Sequence, residues 1–466
     1  MTADIDVAVS PPVVLTPHPL QRVGAFALAA LAGVQDPEQV SEEDLGRVAR
    51  EMESDLRATT GLPDSKAPGG FWLGASYLFW PNSALNITAR SKLSVPERVQ
   101  RLREWRSLPE PGQAIGAPCA LCGRLACGYF GKVDVPLAAS TNYRNTTARG
   151  HEGMALCRGC LMSFHALPYG CAISGGRAAV LHSWDEDFLR KAVPRQVGRM
   201  QRTADVAAGR FGAKRPYARQ VAALYEIRGY DNRFTAGVEL IVFSNSNKEQ
   251  TLDIHEMDQP LAEWLRLIRY EQRFADGWRY LIRAHHSPKV RGLSSLARNL
   301  FDQPQRIVPA AAGYLTRLAD GAGKPAGETP ALAVIIFDYA TKVLNVNNAD
   351  AEQIRLLAAN VADVAGQDKG EFQKFAVAAR KVGALQQWLR RQAVGQVLYA
   401  RQSGAFITER QWLLLFDSGT DGFLNRDLLL ISTLERVHSR NPEWRTDDPE
   451  ARKEIDDNVD DEDNGE

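Results

Sequence analysis

Apolar residues recur at helical spacing over most of this chain, with strand-like alternation in one central stretch. Pro17 to Gly33 predicts a first helix, with Thr16 able to cap it and Gly33 to stop it. Ser41-Glu-Glu-Asp44 opens a second with a capping-box-like pattern that runs to about Thr59. Residues 60–95 read as loop-rich around the aromatic runs Phe71-Trp72 and Tyr77-Leu-Phe-Trp80-Pro81-Asn82. Val238 to Phe243 and Leu252 to His255 predict two strands around a polar turn that starts at Ser244. A Gly/Pro-rich stretch from Asp320 to Pro330 marks the clearest predicted domain boundary. Beyond it, helices are predicted over Ala331–Leu344, Ala349–Ala365, Glu371–Leu398, Thr408–Phe416 and Asn425–Val437, with Asn348, Thr408 and Asn425 as caps. Together they make a compact bundle of about 110 residues.

Two cysteine pairs change this picture most. Cys119-x-x-Cys122 and Cys157-x-x-Cys160 each sit on a turn rich in small residues. A CxxC turn lets both thiolates reach one ion, and two such turns complete a closed tetrahedral site for one structural zinc. The 34 intervening residues exceed the spacing of a compact ribbon, so a loop is inserted in the knuckle. Two unrelated reduced pairs in a core is the bland alternative. Cys127 and Cys171 read as spectators, with ligand replacement by either as the alternative. The predicted fold is α+β and mostly helical. It comprises a mixed region 1–118, a four-cysteine zinc-binding module 119–175, a basic mixed region 176–320, a helical bundle 331–442 and an acidic tail 443–466.

Charge is divided unevenly. The chain of 466 residues has a formal net charge of zero, yet residues 443–466 hold twelve acids against Arg445, Arg452 and Lys453. The tail has almost no apolar residues, which predicts disorder and a solubilising role. The balancing positive excess clusters between Arg190 and Arg219, where nine cations face the single acid Asp205. Arg195, Arg199 and Arg202 recur at helical spacing, a face suited to a phosphate backbone. A second stretch, Arg266 to Arg306, interleaves arginines with Trp264, Tyr270, Phe274, Trp278 and Tyr280, whose intervals favour core packing. Six cysteines without a disulfide framework, and no signal-peptide or membrane-spanning pattern, predict a cytoplasmic protein without membrane contact. No phosphate loop, GxGxxG, HExxH or GxSxG occurs, so no enzyme activity is expected.

Several stretches, in order, resemble one family. His18-Pro-Leu leads to Gly24 and an alanine-rich helix, and Leu78-Phe-Trp-Pro-Asn-Ser-Ala-Leu-Asn86 precedes the first cysteine pair. Val135 to Asn145, Gly153 to Leu161 and Ala166-Leu-Pro-Tyr-Gly170-Cys171 follow. Over roughly its first 175 residues the chain resembles the large subunit of type I (type I-B-like) CRISPR–Cas Cascade complexes. The resemblance implies a non-catalytic subunit that holds the crRNA 5′ end and inspects the PAM of double-stranded target DNA. Guide pairing would then read the sequence. The implied partners are crRNA, target DNA, the Cascade backbone and guide-end subunits, and a recruited helicase-nuclease that cleaves. The C-terminal bundle would correspond to the family's small-subunit-like domain. A separately translated small subunit would need a start codon other than methionine, since the last methionine is Met257.

Residue roles follow from that resemblance. Asn82, Ser83, Asn86 and Lys92 are the expected PAM readers, because short polar side chains reach base edges; turn formation after Pro81 is the alternative for Asn82 and Asn86. Lys132, Tyr143, Arg144, Asn145 and Arg149 would lie on a nucleic-acid-facing finger between the cysteine pairs. Arg195, Arg199, Arg202, Lys214 and Arg215 would hold phosphates. The alternative function is a stand-alone zinc-ribbon nucleic-acid-binding regulator. A metal-dependent nucleic-acid-modifying enzyme would require an open zinc position.

Overall fold

The computed structural model describes residues 11–138, 153–206, 215–246, 249–320, 328–367, 369–379, 381–399 and 404–440. The calls on Tyr143, Arg144, Asn145, Arg149, Lys214 and the acidic tail lie outside them. The chain is mixed α+β and mostly helical, in two compact units. One unit comprises Met1–Arg215 with Phe234–Glu256, the other Pro216–Arg233 with Met257–Glu466.

The first unit runs α1 (Pro19–Ala32), α2 (Glu42–Arg57), α3 (Phe71–Phe79), the short α4 (Ile87–Arg90) and α5 (Val95–Arg106). The strands β1 (Gly128–Phe130) and β2 (Met154–Leu156) then form a small antiparallel pair. They are followed by α6 (Arg158–Ala166), β3 (Ala172–Ser174), β4 (Arg177–Ser183) and α7 (Glu186–Val206). After an excursion into the other unit come β5 (Val238–Ser244) and β6 (Thr251–Met257), completing a sheet of order β3-β4-β5-β6.

Helix α1 is the centre of this unit. Residues Leu20 to Ala29 are buried, and the helix packs on α6, α7 and β4. Its crossing with α6 is close, since a Cβ on Gly24 would lie 2.0 Å from the Ser163 carbonyl oxygen, so only glycine fits. The sheet is covered on both faces over β4 and β5, where residues from both sides of the pleat are buried. Edge strand β6 is largely exposed.

The second unit is helical. It contains α8 (Ala218–Arg228), α9 (Gln259–Tyr270), α10 (Ala275–Ala284), α11 (Gly292–Asp302), α12 (Ile307–Asp320) and α13 (Glu328–Lys342). The chain continues through α14 (Asn348–Ala365), α15 (Lys369–Ala379), α16 (Val382–Tyr399), α17 (Glu409–Phe416) and α18 (Gly422–Arg440). Helix α18 is the hub, with α12, α13, α14, α15 and α17 against it. Leu428, Ile431, Leu434 and Val437, spaced three residues apart, are at most 1% exposed.

The structure corrects several boundaries. The Gly/Pro-rich stretch does not separate two units, because α12 before it and α13 after it both pack on α18. The chain passes between the two compact units three times, near residues 215, 233 and 256. Residues 60–95 contain α3, which is buried on nearly every side and so lacks the one-sided pattern of a surface helix. Thr16 does not cap α1. Its N–H and Oγ1 donate to Gln21 Oε1, while His18 Nδ1 accepts from the Gln21 N–H and Pro19 starts the helix.

The predicted helix over Glu371–Leu398 is two helices, α15 and α16, the second beginning beside Gly383, a weak helix former. Asn347 caps α14 in place of Asn348, and Thr408 closes a capping box on α17. The α18 start falls earlier than expected, with Asp421 accepting from the Leu424 N–H, while Asn425 donates to the Leu414 carbonyl. The two central strands occur where expected. Among the described residues no helix is long and apolar enough to cross a membrane.

Candidate metal centre and basic helix face

The first cysteine turn is closed by its own backbone. Gly123 N–H donates to the Cys119 carbonyl at 2.9 Å, and Cys119 N–H donates to that of Arg124 at 2.6 Å. Two further bonds tie this turn to the second pair, from Ala120 N–H to the Ala155 carbonyl and from Cys127 N–H to that of Leu156, both 2.8 Å. Strand β2 then delivers Cys157 to the N-cap position of α6, with Cys160 in its first turn. Unpaired N–H groups at a helix start favour negative charge there, which suits two thiolates. A Cβ on Gly159 would lie 2.1 Å from the Pro12 carbonyl oxygen, so glycine lets the chain near Pro12 cross this turn.

The Sγ atoms of Cys119, Cys122, Cys157 and Cys160 all lie within 4.8 Å of one another. Three of these residues are buried and Cys122 is partly exposed. Cys122 and Cys157 are 3.5 Å apart at sulfur, far outside a disulfide bond of about 2.05 Å. A tetrahedral thiolate site with metal–sulfur bonds of about 2.3 Å has sulfurs about 3.8 Å apart, so the donor set and spacing fit one metal ion. Without a cation the four thiols cannot all ionise. Hydrogen bonding from Cys122 pulls Cys119 far below the ordinary thiol range, and bonding with Cys119 holds Cys157 and Cys160 far above it.

Cys127 and Cys171 stay outside the cluster. Each S–H donates to a backbone carbonyl at 3.2 Å, of Leu156 and Leu167, and burial pushes both thiols up.

The segment after β1 is anchored on its far side. Asp134 accepts from Trp105 Nε1 at 3.0 Å and faces His165 Nε2 at 3.4 Å. Burial, reinforced by the nearby Arg106 cation, lowers His165 to about 4. Asn245, directly after β5, donates to the Phe79 and Lys132 carbonyls and accepts from the Leu137 N–H. Lys132 itself is held in that junction, its Nζ donating to the Ser246 carbonyl at 3.2 Å, with burial lowering the ammonium.

The expected base-reading residues do not share one surface. Asn82 is exposed with a left-handed φ of 69°, and Lys92 is exposed. Ser83 and Asn86 are 2% and 7% exposed, which makes them turn and core residues and not accessible readers. The Ser83 N–H bonds the Trp80 carbonyl, and the Asn86 carbonyl accepts from Arg90. Trp80 before them and Leu85 between them are core residues as well.

Helix α7 is different. Phe188, Leu189, Ala192, Val193, Val197 and Met200 are buried, leaving Arg195, Arg199 and Arg202 exposed on one face. Arg190, at the start of the same run, is engaged by Asp36 at 2.7 Å and by Asp187. Arg215 is also exposed, and Asp205 is the only acid between Arg195 and the end of α7. In the second arginine-rich stretch acids lie close by: Arg266 pairs with Glu263, Arg273 with Glu271 and Arg279 with Asp276. There Trp264, Phe274 and Trp278 are core residues, as their intervals predicted, whereas Tyr270 is exposed and Tyr280 partly exposed.

One residue escapes the sequence-level reading. Trp184, between β4 and α7, is 49% exposed, and its only signal in the sequence is an aromatic placed a few residues before the basic run, across the acids Asp185, Glu186 and Asp187. No protein-family model matches the chain, and no curated protein is significantly similar to it.

Proposed function

We propose that the chain is a non-catalytic nucleic-acid-binding protein, and that its closed four-cysteine cluster holds one structural zinc ion. The observation that carries the reading is the exposed Arg195–Arg199–Arg202 face on α7, in the same unit as the cluster. Three cations on one face, with a single acid in that stretch of the helix, suit a polyphosphate backbone, which they would bind without reading sequence. Cys119, Cys122, Cys157 and Cys160 would supply four thiolates. Zinc bound by four protein ligands keeps no open position, so it would cross-link two turns of the chain and take no part in chemistry. That donor set also argues against the metal-dependent enzyme.

The finer reading rests on the resemblance over the first 175 residues. In it the chain is the large subunit of a type I crRNA-guided surveillance complex and contributes to guide anchoring, PAM inspection and R-loop stabilisation. Burial of Ser83 and Asn86 leaves Asn82 and Lys92 as the accessible members of the expected base-reading set.

The test is affinity purification of the chain co-expressed with its genomic neighbours, with sequencing of the bound RNA. A ribonucleoprotein carrying repeat-derived guide RNA is expected. Recovery of the chain without RNA or partners would contradict the surveillance-complex reading and favour a stand-alone zinc-ribbon regulator.

A further inference from the structure

The exposed indole of Trp184 is held in place by buried neighbours. The Arg22 guanidinium lies over the ring at 5.1 Å from its centroid, and Glu186 fixes that guanidinium by an ion pair at 2.9 Å. The His182 ring meets the indole edge-on, with centroids 4.9 Å apart and planes at 90°. His182 is in turn held by Glu239, its cross-strand neighbour on β5, at 2.9 Å from Nδ1.

Both ring neighbours are interior. His182 is 0% exposed and the Arg22 side chain 8%, so the indole covers them and its exposed half looks outward. An aromatic platform of this kind loses little conformational freedom when something stacks on it, because its orientation is already set.

The surroundings indicate the partner. Trp184 stands two residues before α7, whose acidic first turn is neutralised by pairing, Glu186 with Arg22 and Asp187 with Arg190. At 1.5 Å per residue, Arg195 to Arg202 lie about 14–24 Å along that helix from its first residue. A flat aromatic surface followed by a cationic face is the combination that binds single strands, where unstacked bases sit on aromatic rings and phosphates meet arginines. A duplex keeps its bases stacked on each other and offers nothing to the indole.

We infer that Trp184 is a base-stacking platform for single-stranded nucleic acid whose backbone runs along the arginine face of α7. The inference rests on the nucleic-acid-binding reading and narrows it to an unpaired strand.

The test is fluorescence anisotropy of the full chain with labelled oligothymidylate and with a labelled duplex, for wild type, W184A, W184F and R195Q/R199Q/R202Q. Loss of one stacked base is worth about five- to 150-fold in affinity. W184A should therefore bind oligothymidylate at least about five-fold more weakly than wild type, W184F should restore most of the loss, and duplex affinity should hold. Equal oligothymidylate affinity for W184A and wild type, with the arginine variant weakened, would overturn the stacking inference and leave the broader reading standing. Failure of wild type to bind either probe would overturn both. Loss of a co-purifying protein subunit in W184A, with oligothymidylate affinity intact, would reassign the platform to a protein contact. Thermal melts of W184A guard against misfolding, which its half-exposed position makes unexpected.

Discussion

The cysteine module and the α18-centred unit are stable for different reasons. Around α18, leucine, isoleucine and alanine side chains of five neighbouring helices exclude water from a shared core, and burial of apolar area is the driving force. Among the described residues around Cys119 to Cys160, the regular structure is a pair of three-residue strands and the start of one helix. Strands so short cannot hold themselves together in water. What joins the two turns is a few backbone hydrogen bonds and the meeting of four sulfurs. The comparison teaches that the α18 core is fixed by area alone, whereas the cysteine module adds a cluster of four thiols to the burial of α6 against α1, so the two should fail under different insults.

Removing the proposed zinc should separate them most sharply. Strong chelation, or Cys160→Ser, should melt the module, since apparent binding energies of about 10–16 kcal/mol accompany structural zinc in small domains. Calorimetry should show an early transition split off from the main one. An unchanged single transition after metal removal would break the comparison.

Next in size is a cut in the α18 core. Leu428, 0% exposed, changed to alanine should cost about 2–5 kcal/mol in chemical unfolding. Metal content should remain that of wild type. A third expectation concerns pH. Burial pushes the Asp427 carboxyl on α18 up to about 7. The folded state therefore holds this proton more tightly than the unfolded chain, so the stability it contributes is present at low pH. That contribution falls away as pH rises from the ordinary carboxylate range through about 7. Asp427→Asn should flatten this part of the denaturation profile, and an unaltered profile would remove Asp427 as its source. The smallest effect is at the α17 cap, where Thr408→Ala should cost about 1 kcal/mol without touching the metal site.

The two regions also differed in how far the sequence disclosed them. The four clustered cysteines were legible from spacing alone, because CxxC turns carry their own geometry. Helices α14 and α17 were legible from periodicity, since each buries one stripe, and α18 was legible from its length although Leu428 to Leu434 are buried all round. Helix α3 was not, because Phe71 to Phe79 are buried nearly all round and show no polar face. The unit boundary was hidden for another reason. Residues 216–233 pack with the second unit although both flanking segments belong to the first, and no local pattern marks a swap made by tertiary packing. Burial of Ser83 and Asn86 was equally invisible, since short polar side chains are written the same way in a turn and at a surface. Trp184 went unread because its exposure depends on the β4–α7 junction and not on its neighbours in sequence.

The central claim is that the α7 face holds nucleic-acid phosphates. The most direct test is the salt dependence of oligonucleotide affinity for wild type and for R195Q/R199Q/R202Q. Each phosphate contact on a single strand contributes about 0.7 to the slope of log affinity against log salt, so loss of three should flatten it by about 2. The account predicts that flattening, with affinity reduced alike for every sequence tried. An unchanged slope, or a loss confined to particular sequences, would contradict it.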